Sequence, residues 1–158
     1  MERSGMIDVT GTCKIRIDKE GKWYYQDNEI INPLVLDFFC KALERDDEGR
    51  YLLVIDKEIC YLEVDDTPFV VTSLRGEPET GLSVLLNTGS LYELDPETLS
   101  VGDDNVMYCT IPSGMKVRFS RTAYYMLANI MDEDENGNII LKISKKTYCI
   151  SIDRPGRD

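Results

Sequence analysis

The run NPLVLDFFCKALERDDEGRYLLVIDKEICYLEV, Asn32–Val64, carries a complete supersecondary plan. Asn32 suits a helix N-cap, because its side-chain oxygen can accept an orphan backbone N–H, and Pro33 suits the first helical position. The pattern predicts a helix to about Arg45, with Asp37, Lys41, Glu44 and Arg45 sharing an arc of about 100°. Leu34, Val35, Leu36, Phe38, Phe39, Cys40, Ala42 and Leu43 fill the rest, so the helix is expected to be wrapped by the remainder of the fold. Gly49 closes an acidic turn. Tyr51–Ile55 and Ile59–Val64 then read as apolar strands on either side of Asp56-Lys57-Glu58.

The same plan returns in Ser120–Ile152, SRTAYYMLANIMDEDENGNIILKISKKTYCISI. The offset is 88 residues without a gap: Asp46 falls on Asp134, Gly49 on Gly137, Leu53 on Leu141, Ile55 on Ile143 and Lys57 on Lys145. Ser120 caps a second predicted helix, Arg121 to Met131. The expected fold class is α+β: two similar helix-plus-antiparallel-strands units packed together, an internal structural repeat in which each helix plugs its own sheet. Residues 12–94 form the first β-β-α-β-β unit with extra strands, 95–105 an acidic connector, and 106–153 the second β-β-α-β-β unit. Residues 1–11 and Arg154–Asp158 read as polar ends.

At 158 residues the chain can bury roughly 70% of its unfolded surface, enough for a real core. The net charge of −11 disfavours nucleic acid and anionic membranes as partners. No apolar run has the length of a membrane span and Met1–Gly11 lacks the apolar centre of a signal peptide, so a cytoplasmic location is expected. The five cysteines, Cys13, Cys40, Cys60, Cys109 and Cys149, are odd in number and far apart. They are expected to be reduced and buried rather than a disulfide framework or a zinc site. There is no histidine, which removes Ser-His-Asp and Cys-His nucleophile activation and every His-based metal motif.

Several segments, taken together and in order, resemble a bacterial family, the domain of unknown function 1285 family. They are Ile15-x-Ile17-Asp18-x-x-Gly21-x-Trp23-x-Tyr25, Leu34-Val35, Arg45 to Tyr51, Glu63-Val64-Asp65-Asp66-x-Pro68-Phe69, Asp95-Pro96-Glu97-Thr98 and Arg121-x-x-Tyr124-Tyr125-x-Leu127. The resemblance covers about residues 13 to 130. It implies an α+β fold of two similar units, brings no established activity, and carries an interaction or signalling role as its expectation. The chain departs from the family's pattern from Asp132 onward, where it is more acidic and its strands are longer.

Among local motifs, Asp132-x-Asp134-x-Asn136-Gly137-x-Ile139 matches the opening of a calcium loop, with Asp132, Asp134, Asn136 and Asn138 as the candidate oxygen ligands. The twelfth position, where a bidentate Glu belongs, is Ile143, and a strand follows rather than a helix. The turn reading is therefore preferred and no metal or cofactor is expected. Gly76 to Ser83 is a near miss for a phosphate loop, with Leu82 where the Lys must stand, and is rejected. Lys116, Arg118, Arg121, Lys142, Lys145 and Lys146 gather positive charge that is read as compensation of Asp132 to Glu135, with a patch for an acidic partner as the alternative. Trp23, Tyr25, Tyr124 and Tyr125 read as core rather than pocket lining. The resulting function is a non-enzymatic interaction or adaptor module with a protein partner. Its alternative is a small-molecule-binding protein or a carboxylate/Tyr-based enzyme with a site between the two units. Catalytic residues and oligomeric state are not legible.

Overall fold

The computed structural model describes residues 12–152; the two ends read above as polar lie outside that range. The chain divides between Pro68 and Phe69 into two compact units.

In the first unit, β1 (Thr12–Ile17), β2 (Trp23–Tyr25) and β3 (Asn28–Glu29) precede α1 (Pro33–Ala42), and β4 (Leu43–Arg45), β5 (Tyr51–Ile55) and β6 (Glu58–Val64) follow it. They form one six-stranded sheet in the order β3-β2-β1-β6-β5-β4, with β1 antiparallel to β2 and parallel to β6. Alternation in β1 sends Ile15 and Ile17 inward, where they meet Trp23, Leu53 and Leu62. Full burial of such side chains is worth about 1.5–3 kcal/mol each.

The second unit opens with a meander, β7 (Val70–Glu77), β8 (Gly81–Leu86) and β9 (Leu91–Glu93). Next come β10 (Ser100–Val101), β11 (Met107–Thr110), β12 (Lys116–Phe119), α2 (Arg121–Ala128), β13 (Met131–Glu133), β14 (Ile139–Ile143), β15 (Lys146–Cys149) and β16 (Ser151–Ile152). The strand order is β16-β10-β11-β12-β7-β8-β9, and β13-β14-β15 form a separate three-stranded sheet. Val71, Val84, Met107, Val117, Leu127 and Leu141 lie at the centre of its larger core.

The chain is strand-rich, with α1 and α2 the α-helices among the described residues. Three expectations are corrected. The sheets are mixed rather than purely antiparallel, because β1–β6, β10–β16 and β12–β7 pair in parallel. Both helices end early: Leu43 pairs with Leu53 and Met131 with Leu141, so ladder pairing outweighs helix propensity in the last turn. Residues 95–105 hold a 3-10 turn, Pro96–Thr98, and β10, which is bonded on both sides.

Strand registers keep the sequence offset. Leu43↔Leu53 and Arg45↔Tyr51 stand 88 residues before Met131↔Leu141 and Glu133↔Ile139, and Ile55↔Glu58 stands 88 before Ile143↔Lys146. The β1–β2 pairs Arg16↔Tyr24 and Ile17↔Trp23 stand 84 residues before the β10–β11 pairs Ser100↔Tyr108 and Val101↔Met107.

Candidate docking surface

Helix α1 starts where the sequence said it would. Asn32 Oδ1 accepts the Leu34 N–H at 2.9 Å, and Pro33 occupies the first turn. Its inner face, Leu36, Phe39 and Cys40, rests on the core, with Phe39 stacked on Trp23 at 5.9 Å between centroids. Burial, with Asp37 nearby, pushes the Cys40 thiol up to about 11, so it stays protonated at neutral pH. An i,i+4 pair, Lys41 Nζ to Asp37 Oδ2 at 3.0 Å, lies exposed and contributes little.

The outer face was expected to be covered, and it is not. No residue of α1 is buried. Leu34 is 80% exposed, Phe38 54% and Val35 36%, and Ile31, just before the cap, is 77% exposed. The helix is apolar around most of its girth, yet it packs against β5 on one side alone. Beside it β3 is the terminal strand of the sheet. An apolar patch next to a strand edge is the kind of surface proteins use for recognition, because each half left alone is costly or sticky.

Helix α2 is more deeply seated, although Tyr125 and Met126 on it are 57% and 39% exposed. Ser120 Oγ accepts the Ala123 N–H at 3.1 Å. Ala123 and Leu127 are fully buried, and the helix lies against β7 and β12. Strand β7 runs parallel to β12 through Arg118↔Val70 and Phe119↔Val71, and the Ser120 N–H donates to the Val71 carbonyl at 2.8 Å.

Residues 7–67 match the family described as domain of unknown function (DUF1285), N-terminal domain. This match and two solved structures of that family support assigning the chain to the DUF1285 family. A DUF1285 family protein from Silicibacter pomeroyi DSS-3 has a similar crystal structure, with a TM-score of 0.73 and 19% identity over 94% of this chain and 91% of that one. Another, from Shewanella baltica OS155, gives a TM-score of 0.61 and 24% identity over 73% of this chain and 90% of that one. At these identities the likeness to solved structures speaks for the fold. None of the curated proteins compared with the chain matches it.

The acidic loops of this chain turn out to share one type of hairpin turn. Asp18, Asp46 and Asp134 each accept two backbone N–H groups on one carboxylate oxygen, all at 2.9 Å, from the residues two and four positions on. Gly21, Gly49 and Gly137 follow three positions later with φ of 84°, 86° and 85°, a conformation that costs a side-chain-bearing residue energy. The second oxygen is also engaged: by the Tyr24 hydroxyl in the first turn, by Arg50 Nε in the second and by Asn138 Nδ2 in the third. Burial pushes the Asp18 and Asp46 carboxyls up, but these donors outweigh it and hold both below the usual value. At Asp134 the Asn138 amides lead and lower the carboxyl likewise. Of the four candidate calcium ligands, then, Asp134 spends its oxygens on its own turn. Among the described residues no group of three His, Cys, Asp or Glu is arranged to hold a metal ion.

Other features of the sequence land as follows. Gly76 and Gly81 sit in the β7–β8 hairpin, where a Cβ on Gly76 would overlap the Gly81 carbonyl oxygen. Trp23 is core and Tyr124 packs against the second core, but Tyr25 and Tyr125 are exposed. The cations lie on different sheets: Lys116 and Arg118 on β12, with Arg121 after them, and Lys142 and Lys146 on β14 and β15. Lys116 Nζ sits 4.2 Å from the Tyr108 ring centroid, a cation–π contact.

The cysteine expectation is corrected. Cys13 and Cys60 form a disulfide between β1 and β6, with Cα atoms 5.2 Å apart. Sequence separation hid it, because the parallel pairing of these two strands was not readable. Cys40, Cys109 and Cys149 remain free, and burial raises the Cys109 thiol to about 12. Next to Cys13 the β1–β6 register shifts, and Lys14 takes φ of 60°. A hollow of about 440 Å³ opens there, lined by Lys14, Arg16, Tyr24, Asp27 and Glu63 among others. Arg16 within it is bound to Asp65 at 2.7 Å and lies over the Tyr24 ring.

Proposed function

We infer that this chain is a non-enzymatic protein-interaction module, an adaptor of a signalling type, whose partner settles on the outer face of α1. One observation carries the reading: Ile31, Leu34, Val35 and Phe38 are exposed about a helix with no buried residue, whereas α2 buries Ala123 and Leu127. Burying such side chains supplies about 25 cal/mol per Å² of apolar area, which makes this face the one where binding is cheapest. The two helix-and-hairpin segments are copies of one plan. The strand registers repeated at offsets of 88 and 84 residues support that reading. The sequence placed the chain in the cytoplasm. The Cys13–Cys60 bond argues the other way, since disulfides are rare there. Thiol labelling of the freshly lysed native protein decides it: five reactive thiols after denaturation mean a reducing compartment, and three an oxidising one.

A photo-crosslinking residue at Phe38, compared with one at Tyr125 on α2, tests the interaction reading in living cells. A discrete adduct from position 38 and none from position 125 is the expected result. Equal, diffuse labelling from both positions would sink it. A second reading, a small polar ligand in the hollow beside Lys14, is supported by that hollow's mixed charges. It requires Lys14→Ala to abolish binding of such a ligand without altering crosslinking at Phe38.

A further inference from the structure

The interaction reading leaves open what lies on α1, and the second unit supplies a template. There, the strand before the helix does not end its sheet: β7 pairs beyond β12, and α2 lies against it. Phe119 is 3% exposed and Ala123 0%. Ile31 and Val35 stand 88 residues earlier, are 77% and 36% exposed, and sit beside β3, which has no strand beyond it among the described residues. The first unit thus presents a strand edge and an apolar helix face at the place where the second unit holds β7.

The template also sets the chemistry of the occupant. β7 is extended, buries Val70, Val71 and Leu74, and exposes Arg75. Charge narrows the choice further. In residues 12–68 acidic residues outnumber basic ones. Around the patch Glu29 and Glu44 are exposed, while Lys41, the cation of α1, is already paired with Asp37. A second copy of the chain would bring the same acidic surface and be repelled, whereas a basic segment would be drawn in.

Resting on the interaction reading, we propose that β3 and the outer face of α1 bind an extended segment of a partner protein. The segment carries an apolar pair with a third apolar residue three positions on, as Val70, Val71 and Leu74 stand in β7, has Lys or Arg at its exposed positions, and adds to the edge of β3 as β7 adds to β12. Strand addition gives affinity through the backbone, and Ile31 and Val35, whose counterparts Phe119 and Ala123 are buried in the second unit, give specificity through the side chains that face them.

The probe is a synthetic peptide of residues 69–77, FVVTSLRGE, made also with Gly76→Lys and Glu77→Lys. It is titrated into the isotope-labelled full chain and followed by NMR. Amide shifts confined to residues 28–38 are expected, with the dilysine peptide tighter than the parent and weakened by salt. The Val35→Glu variant should lose roughly tenfold or more in affinity. A variant with unchanged dispersion of its core amides shows that the loss is not unfolding. No shifts at residues 28–38, or equal shifts with a scrambled peptide, would overturn the proposal. Concentration-dependent self-association abolished by Phe38→Glu would overturn it in favour of a second copy. If the peptide fails while position 38 still crosslinks a discrete partner in cells, the interaction reading stands and only the strand mode falls.

Discussion

Helices α1 and α2 begin alike, with Asn32 and Ser120 capping through a side-chain oxygen and a two-stranded ladder following each helix. They differ in how deeply they are buried. α2 buries Ala123 and Leu127 beneath a unit that includes β7, and its exposed positions are Arg121, Thr122, Tyr125, Met126 and Asn129. α1 buries nothing completely and exposes Leu34 and Phe38. The difference teaches that an apolar circumference tells how much surface a helix offers, not whether its own chain covers that surface.

The disulfide gives the largest expected contrast. Cys13–Cys60 closes a separation of 47 residues within the first unit. In the chain-entropy view a loop of that size is worth about 4 kcal/mol. Reduction, or Cys13→Ala with Cys60→Ala, should therefore lower the stability of residues 12–68 selectively. Hydrogen exchange should speed up there and stay unchanged in the β10–β16 region, which no disulfide crosses. Equal loss in both units would break the contrast.

Truncation of the two helices should separate them next. Leu127→Ala removes a fully buried side chain and should cost about 2–5 kcal/mol by chemical denaturation. Phe38→Ala, on a residue 54% exposed, should cost under about 1 kcal/mol.

Turn chemistry sharpens the comparison at a smaller scale. Ser144 and Lys145 both hold positive φ, 52° and 72°, between β14 and β15. Ser144→Asn with Lys145→Gly should raise stability by roughly 1 kcal/mol, read as a rise in Tm. Acid should act on both units through their matching turns. Asp46 and Asp134 have lowered folded-state values, so their contribution is present above the unfolded carboxylate value of about 3.9 and is lost as pH falls below it. An acid titration of Tm should fall below about pH 4, and Asp134→Asn should flatten that fall in the second unit. Calcium should leave Tm unchanged, since Asp134 is occupied by its own turn.

Much of the local structure was legible, because caps, Gly turns and alternation are written within a few residues. Asn32, Gly49 and the β5–β6 hairpin fell where the pattern put them. Long-range pairing was not. Nothing near Cys13 or Cys60 announces that β1 and β6 run in parallel, so their bond was missed. The candidate surface was half legible: the residues of α1 were named, and their solvent exposure depended on β3 ending its sheet. The acidic loop at Asp134, read from the sequence as a turn in preference to a calcium loop, shares its hydrogen bonding with Asp18 and Asp46, a recurrence of Asp-x-x-Gly that the sequence does display.

The most direct test of an uncovered α1 is the double variant Leu34→Glu with Phe38→Glu, compared with Leu127→Ala in a urea melt. The predicted result is a folded protein whose midpoint moves little, beside a large drop for Leu127→Ala. A double variant destabilised as much as Leu127→Ala would contradict the account, because it would mean that the chain itself covers the face assigned to a partner.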